Sequence, residues 1–327
     1  MRDLLSLPKA HLHLHLEGGM RPSTLQERCD HYGVEVPVIR GFGNFTAFAD
    51  TYLAACDVLR TDDDLARLVT ECIEDAAASG AVWIELAFHP AHHRDRFGTD
   101  QRIVEVVLAA MATASAETGV GSGLMLSADR TKDPADAVEL AELAAAFAGR
   151  GVVSFGLAND EVIGPPEPYA EAYAIARAAG LLSTPHAGEL CGPESVRGAL
   201  DALGADRIQH GVRAVEDPAL VQRLVDERVC LDVCPTSNLS LSVIDRLEDH
   251  PLPGLLAAGV RCSVNADDPL LFGPGLLEEY EVCRSTLGLD DDALASVATT
   301  SIEASGASDQ IKAQGVAGVA HWLATPT

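Results

Sequence analysis

Residues 10–19 read Ala10-His11-Leu12-His13-Leu14-His15-Leu16-Glu17-Gly18-Gly19. Polar and apolar side chains alternate strictly, so an extended strand puts His11, His13, His15 and Glu17 on one face and Leu12, Leu14 and Leu16 on the other. The leucines suit packing under an outer layer, and the histidines then face an interior. A single histidine on such a face is most simply a core residue satisfied by its neighbours. Three together need partners or a metal ion, because unpaired buried polar groups are costly. The spacing leaves two ligand pairs open, His11 with His13 or His13 with His15.

Seven further short apolar runs follow: Ala81–Phe88, Gly119–Ser127, Gly151–Ala158, Leu181–His186, Arg207–His210, Val229–Cys234 and Val260–Asn265. Alanine- and leucine-rich helical patterns lie between them, such as Thr61–Ser79, Arg102–Thr118, Pro134–Gly149, Pro168–Ala179, Pro193–Leu203 and Pro218–Glu227. Several open near Pro or Asp and close on Gly, as helix ends do. Strands alternating with helices predict a parallel sheet of βαβ units, and eight strands close a (β/α)₈ TIM barrel. A doubly wound open sheet is disfavoured, since no GxGxxG or GxxxxGK[ST] follows an early strand. Residues 21–80 are too long for one connection and predict a helical insertion roofing the barrel mouth. Helices over about 286–324 should pack outside, leaving 1–327 as one catalytic domain.

Composition sets the class and no chemistry. The 23 Lys plus Arg against 49 Asp plus Glu give a charge of −26, which repels nucleic acid and anionic membranes. A hydrophobic fraction of 47% is enough for a large core. The start Met1-Arg2-Asp3-Leu4 lacks a signal-peptide core, and eight cysteines without a CxxC pair read as reduced thiols. A cytoplasmic location is expected.

Barrel chemistry sits where strands end. The fifth run ends Pro185-His186-Ala187-Gly188-Glu189, offering a ligand and then an acid. The sixth ends Gln209-His210-Gly211, and the eighth Asn265-Ala266-Asp267-Asp268-Pro269. Adjacent carboxylates repel, and after an apolar strand a divalent ion would stabilise one of them. Polar groups thus gather on strands one, five, six and eight.

These segments resemble the adenosine/adenine deaminase family of the amidohydrolase superfamily. The resemblance rests on Pro8-Lys9-Ala10-His11-Leu12-His13-Leu14-His15-Leu16-Glu17-Gly18, His186-Ala187-Gly188-Glu189, Arg207-Ile208-Gln209-His210-Gly211, Val233-Cys234-Pro235-Thr236-Ser237-Asn238 and Asn265-Ala266-Asp267-Asp268-Pro269. It implies a barrel holding one zinc ion (Zn2+) per subunit and hydrolytic removal of the 6-amino group of an adenine ring. It assigns His13, His15, His186 and Asp267 to the metal, resolving the choice left above. Glu189 would protonate purine N1, and His210 would orient and help deprotonate the attacking water. Asp268 would bind N7. Glu17 and the backbone near Asn159 would contact the ribose side and N3, with His15 also facing substrate.

Departures from the family pattern concern substrate. Glu17 stands where nucleoside-type members usually carry Asp, and Gly164-Pro165-Pro166 also leans toward the adenine-base type. Asn159 replaces a common Gly, while His186–Pro193 stays closer to nucleoside members. Ala87 replaces a frequent Arg and would widen the pocket toward a modified adenosine such as aminodeoxyfutalosine. Adenosine, converted to inosine and ammonia, comes first on the breadth of the family; adenine, converted to hypoxanthine, and a modified adenosine are the alternatives. Four carboxylates around one divalent ion favour a neutral purine base or nucleoside over a nucleotide. A barrel that only binds is the alternative from another class, disfavoured because every core residue is present. His89, His92 and His93 read as a solvated loop beside Arg94-Asp95-Arg96, and Cys230 and Cys234 as buried structural thiols. Phe42, Phe45, Phe48 and Tyr52 suit either a purine pocket or the core face of a helix.

Overall fold

The computed structural model describes residues 1–39 and 45–325, so Phe42 lies outside the described residues. Eight parallel strands run in chain order around one sheet: β1 (Lys9–His15), β2 (Ala81–Phe88), β3 (Gly121–Asp129), β4 (Val152–Ala158), β5 (Leu182–Ala187), β6 (Arg207–His210), β7 (Cys230–Val233) and β8 (Arg261–Val264). Past the end of β8 the chain returns to β1. His15 N–H donates to Asp267 O at 3.1 Å, and Asp267 N–H donates to His13 O at 3.0 Å. Asn265 Oδ1 accepts from Leu12 N–H at 2.7 Å and His13 N–H at 3.2 Å. The expected (β/α)₈ TIM barrel is therefore present, its seam sealed by residues that also carry the eighth-strand carboxylates.

The strand expected over 10–17 stops at His15, and Glu17–Gly19 turn into a short 3₁₀ segment. That turn takes Glu17 off the histidine face. Gly18 permits it, since a Cβ there would lie 1.8 Å from Asp268 Oδ1.

Three helices follow, α1 (Pro22–Tyr32), α2 (Phe45–Cys56) and α3 (Asp62–Ala78). A Thr61/Asp64 capping box opens α3, which packs on β2 and on the helix Asp100–Thr118. It is thus the barrel's own outer helix, and only the stretch before it is additional to the βα repeat. Helix Asp291–Ala304 packs against β8 and β1, with Asp309–Ala324 outside it. Among the described residues no helix is long and apolar enough to cross a membrane.

Inside the barrel, Arg207 is 1% exposed and donates to Glu85 Oε2 at 2.6 Å, Asp232 Oδ2 at 2.9 Å and Ala304 O at 2.8 Å. Trp83 Nε1 and Gly306 N–H also donate to Glu85, and Ser263 Oγ donates to Asp232. Removing one member of a buried, satisfied ion network strands the others. Arg207→Ala is therefore expected to destabilise the fold by about 3–5 kcal/mol in a urea titration. A loss below 1 kcal/mol would show that water reaches the two carboxylates.

Candidate active site

Alternation along β1 brings His13 and His15 into the mouth, and the end of β5 brings His186. One donor nitrogen from each lies within 4.8 Å of the others. Asp267 Oδ1 sits 3.3 Å from His13 Nε2 and 3.4 Å from His15 Nε2. The tautomers follow from the outer ring nitrogens. His186 Nδ1 faces Leu157 O at 3.0 Å and His13 Nδ1 faces Asp232 O at 3.3 Å, so both carry hydrogen on Nδ1. Their Nε2 lone pairs point inward. His13 Nε2 is buried without a hydrogen bond, and His15 Nε2 and His186 Nε2 lie 3.2 Å apart. Converging lone pairs and a carboxylate fit a divalent cation with one open position, and the carbonyl contacts behind them orient the rings as such sites require. His11 stands apart, its Nε2 accepting from Ala266 N–H at 3.2 Å.

Backbone strain gathers at the same place. His210 (φ 64°), Asp267 (φ 62°) and Asn159 (φ 81°) adopt left-handed conformations at or just past strand ends. Asn is among the non-glycine residues that tolerate that region best, which suits Asn159 to its position. A hydrogen-bond chain sets the His210 tautomer. Leu252 N–H donates to His250 Nδ1 at 3.0 Å, so His250 must carry hydrogen on Nε2, which lies 3.1 Å from Asn238 Oδ1. Asn238 Nδ2 then donates to His210 Nδ1 at 3.2 Å. His210 is left with hydrogen on Nε2, 3.4 Å from Glu189 Oε1 and 3.7 Å from Asp267 Oδ2. Burial and the neighbouring His13 push its pKa down to about 3, so the ring is neutral. His210 therefore meets the cavity as a donor, where the resemblance implied a group that helps take a proton.

Four carboxylates share this space with different charges. Burial raises Glu189 well above the usual carboxylate range, and Asp267 and Glu161 add to it. Burial and Asp267 do the same for Asp268, whose Oδ1 has no hydrogen bond. Asp267 goes the other way, held low against burial by His13, His210 and His15 and bonded by Ser237 Oγ at 2.6 Å. Glu17 is held down to about 2 against burial by His93 and Tyr52. His93 Nε2 meets Glu17 Oε1 at 2.6 Å and Tyr52 Oη donates to Oε2 at 2.6 Å. Both Glu17 oxygens are thereby engaged.

Glu161, which no spacing in the sequence singles out, organises the loop after β5. Its carboxylate accepts from the N–H groups of Gly188 at 2.6 Å, Glu189 at 3.0 Å, Leu190 at 2.7 Å and Cys191 at 2.9 Å. One side chain thus fixes the backbone that carries Glu189.

These groups open on a cavity of about 350 Å³, walled by His15, Asn159, His186, Glu189, His210, Asp267 and Asp268. His13 and Glu17 sit behind the wall. Phe45, Phe48 and Tyr52 of α2 line it from above, and Phe48 also stacks on Phe272, so that helix face serves both pocket and core. The solvated-loop expectation fails. His93 is buried, and His89 and His92 are half-buried in the cavity wall. Cys230 and Cys234 are buried thiols, as expected.

A family model described as adenosine deaminase matches residues 8–322. A Streptomyces virginiae protein provisionally named adenosine/adenine deaminase is 46% identical, over 98% of both chains. The crystal structure of an adenine deaminase from Arthrobacter aurescens superposes with a TM-score of 0.90 at 34% identity, covering 97% of this chain and 99% of that one. An amidohydrolase from Burkholderia ambifaria with bound Zn gives a TM-score of 0.88 at 28% identity, covering 97% and 91%.

The donor set is expected to hold one divalent ion per chain, counted by plasma mass spectrometry after dialysis. Binding to the folded state alone stabilises by about 4 kcal/mol at a thousandfold excess over Kd, so chelation should lower Tm and added metal restore it. Asp267→Ala should lose both the ion and the Tm response. A chain without stoichiometric metal would refute the site.

Proposed function

The chain belongs to the adenosine deaminase family and is a hydrolytic deaminase, and from that premise we propose that it removes the 6-amino group of adenosine, giving inosine and ammonia, at a zinc ion held by His13, His15, His186 and Asp267. The observation that carries the reading is the buried Glu189 carboxyl, kept protonated beside His210 and the metal-donor cluster. Adenine is the second reading, favoured by the 34% identical Arthrobacter enzyme named adenine deaminase.

Bound there, zinc would supply a water activated near neutral pH. The chain's residues do the rest. Glu189 gives its proton to ring N1, which makes C6 electrophilic. Asp268, also kept protonated, donates to N7 through Oδ1, which has no hydrogen bond of its own. His210 donates its Nε2–H to the water and holds it over C6. The water oxygen bonds to C6 and the C6–N bond breaks. Of the water's two hydrogens, one replaces the proton Glu189 gave to N1, and the other leaves with the amino group as ammonia. The six-oxo product keeps hydrogen on N1. α2 and its aromatic face cover the ring and exclude bulk water.

General acid catalysis contributes about 10²–10⁴ in rate. Glu189→Gln should therefore lower kcat by at least about 10²-fold with metal content intact, read by the ultraviolet shift on deamination. Activity above roughly a tenth of wild type would overturn the acid role.

Glu161 provides a second test through pH. Glu189 works while protonated, so activity is present below its raised pKa and lost as pH climbs through it. The Glu161 charge helps raise that pKa. Glu161→Gln should thus move the alkaline limb of kcat/KM to lower pH, and the loosened loop should cut kcat by about 10²-fold. Glu161→Asp keeps the charge and should move the limb less. An alkaline limb that stays in place in Glu161→Gln would show that the two groups are uncoupled.

A further inference from the structure

The first expectation placed the ribose at Glu17, yet both oxygens of Glu17 are taken by His93 and Tyr52. Another polar group lines the cavity. His89 and His92 follow β2, and Asp129 ends β3. Strand order puts β2 and β3 across the barrel from β6 and β7. One donor atom from each of the three side chains lies within 4.8 Å of the others.

His89 and Asp129 are held from behind, and all three side chains have hydrogen-bonding capacity left over. His89 Nδ1 donates to Ser127 O at 2.6 Å, leaving a lone pair on Nε2. Asp129 Oδ1 accepts from Thr131 N–H at 2.8 Å and Thr131 Oγ1 at 2.7 Å. Asp129 Oδ2 has His92 Nε2 only at 3.9 Å, beyond a hydrogen bond. His92 Nδ1 is buried without a hydrogen-bond partner. Against the pull of burial, His92 and Thr131 hold Asp129 below the usual carboxylate range, so it is ionised at working pH. Two oriented acceptors beside a two-faced imidazole match a pair of neighbouring hydroxyls, which can both donate and accept.

The geometry of the reading above points the same way, and this inference rests on that reading. With C6 at the metal donors, N1 at Glu189 and N7 at Asp268, the ring edge carrying N3 and N9 faces away from β5, β6 and β8. A cavity of about 350 Å³ is in the range that encloses drug-sized ligands, so space remains beyond the ring. We propose that His89, His92 and Asp129 form a subsite for the vicinal hydroxyls of a ribose on N9, so that the chain selects a ribonucleoside over the free base. Buried polar groups left unpaired by a ligand lacking those hydroxyls supply the discrimination.

The test compares kcat/KM for adenosine, 2′,3′-dideoxyadenosine and adenine in wild type, Asp129→Asn and His92→Gln, with thermal unfolding to confirm that each variant folds. Wild type should prefer adenosine to the dideoxy compound by at least about tenfold, the worth of one charge-assisted hydrogen bond. Either variant should shrink that preference by a similar factor. Equal turnover of adenosine and the dideoxy compound by wild type overturns the subsite, as does a preference that both variants preserve. A second equivalent of zinc, lost in Asp129→Asn, overturns it in favour of a second metal centre. If wild type deaminates none of the three, the catalytic reading fails by itself. The subsite is then judged by calorimetry with inosine and hypoxanthine: Asp129→Asn should weaken inosine more, and equal weakening overturns it.

Discussion

His13, His15, His186 and Asp267 bring donor atoms together in the mouth, and among the described residues His13 Nε2 has no hydrogen bond there. That convergence constrains the rest. Two of the rings are held from behind, by Leu157 O for His186 and Asp232 O for His13. Asp267 adopts a left-handed backbone, where its own N–H and C=O close the barrel seam onto β1. The bonds that complete the fold therefore also hold the donor set. A cation that fills the site should stabilise the barrel as a whole.

What could be read from the chain follows the range of each interaction. Alternation along 10–17 is local, so the inward face of β1 and three of its polar residues were legible. Glu17 was not, because Gly18 allows a turn that depends on the approach of Asp268, some 250 residues away. His93 looked solvated beside three charged neighbours, yet its partner is Glu17 on another strand loop. Glu161 left no trace, since its partners are four backbone N–H groups with no side-chain signature. Phe45, Phe48 and Tyr52 resisted assignment because the alternatives were not exclusive. One helical face meets the cavity while Phe48 stacks on Phe272.

The His210 chain shows what distant contacts add to a motif. The resemblance supplied a histidine and a role. The backbone N–H of Leu252 can only donate, and that one certainty propagates through His250 and Asn238 to the ring. A proton-accepting His210 would require all three partners to reverse, and a main-chain amide cannot. On the proposed reading, orientation of water is the role left to it, and the proton traffic falls to Glu189.

The charge of the mouth must be recounted in the same way. Four carboxylates around one ion suggested a field that rejects anions. Two of them, Glu189 and Asp268, are held protonated by burial and by one another's neighbours. Glu17 has both oxygens engaged by His93 and Tyr52, and Asp267 is the carboxylate left to face a divalent ion. The mouth thus carries less bare negative charge than its four carboxylates suggest, although the chain carries −26. The reaction centre therefore supplies little field against a nucleotide, and on the proposed reading any discrimination falls to the far end of the cavity, where Asp129 lies. On the proposed reading, selectivity for the leaving amine and selectivity for the rest of the molecule are built on opposite sides of the barrel, one on β5, β6 and β8 and the other on β2 and β3.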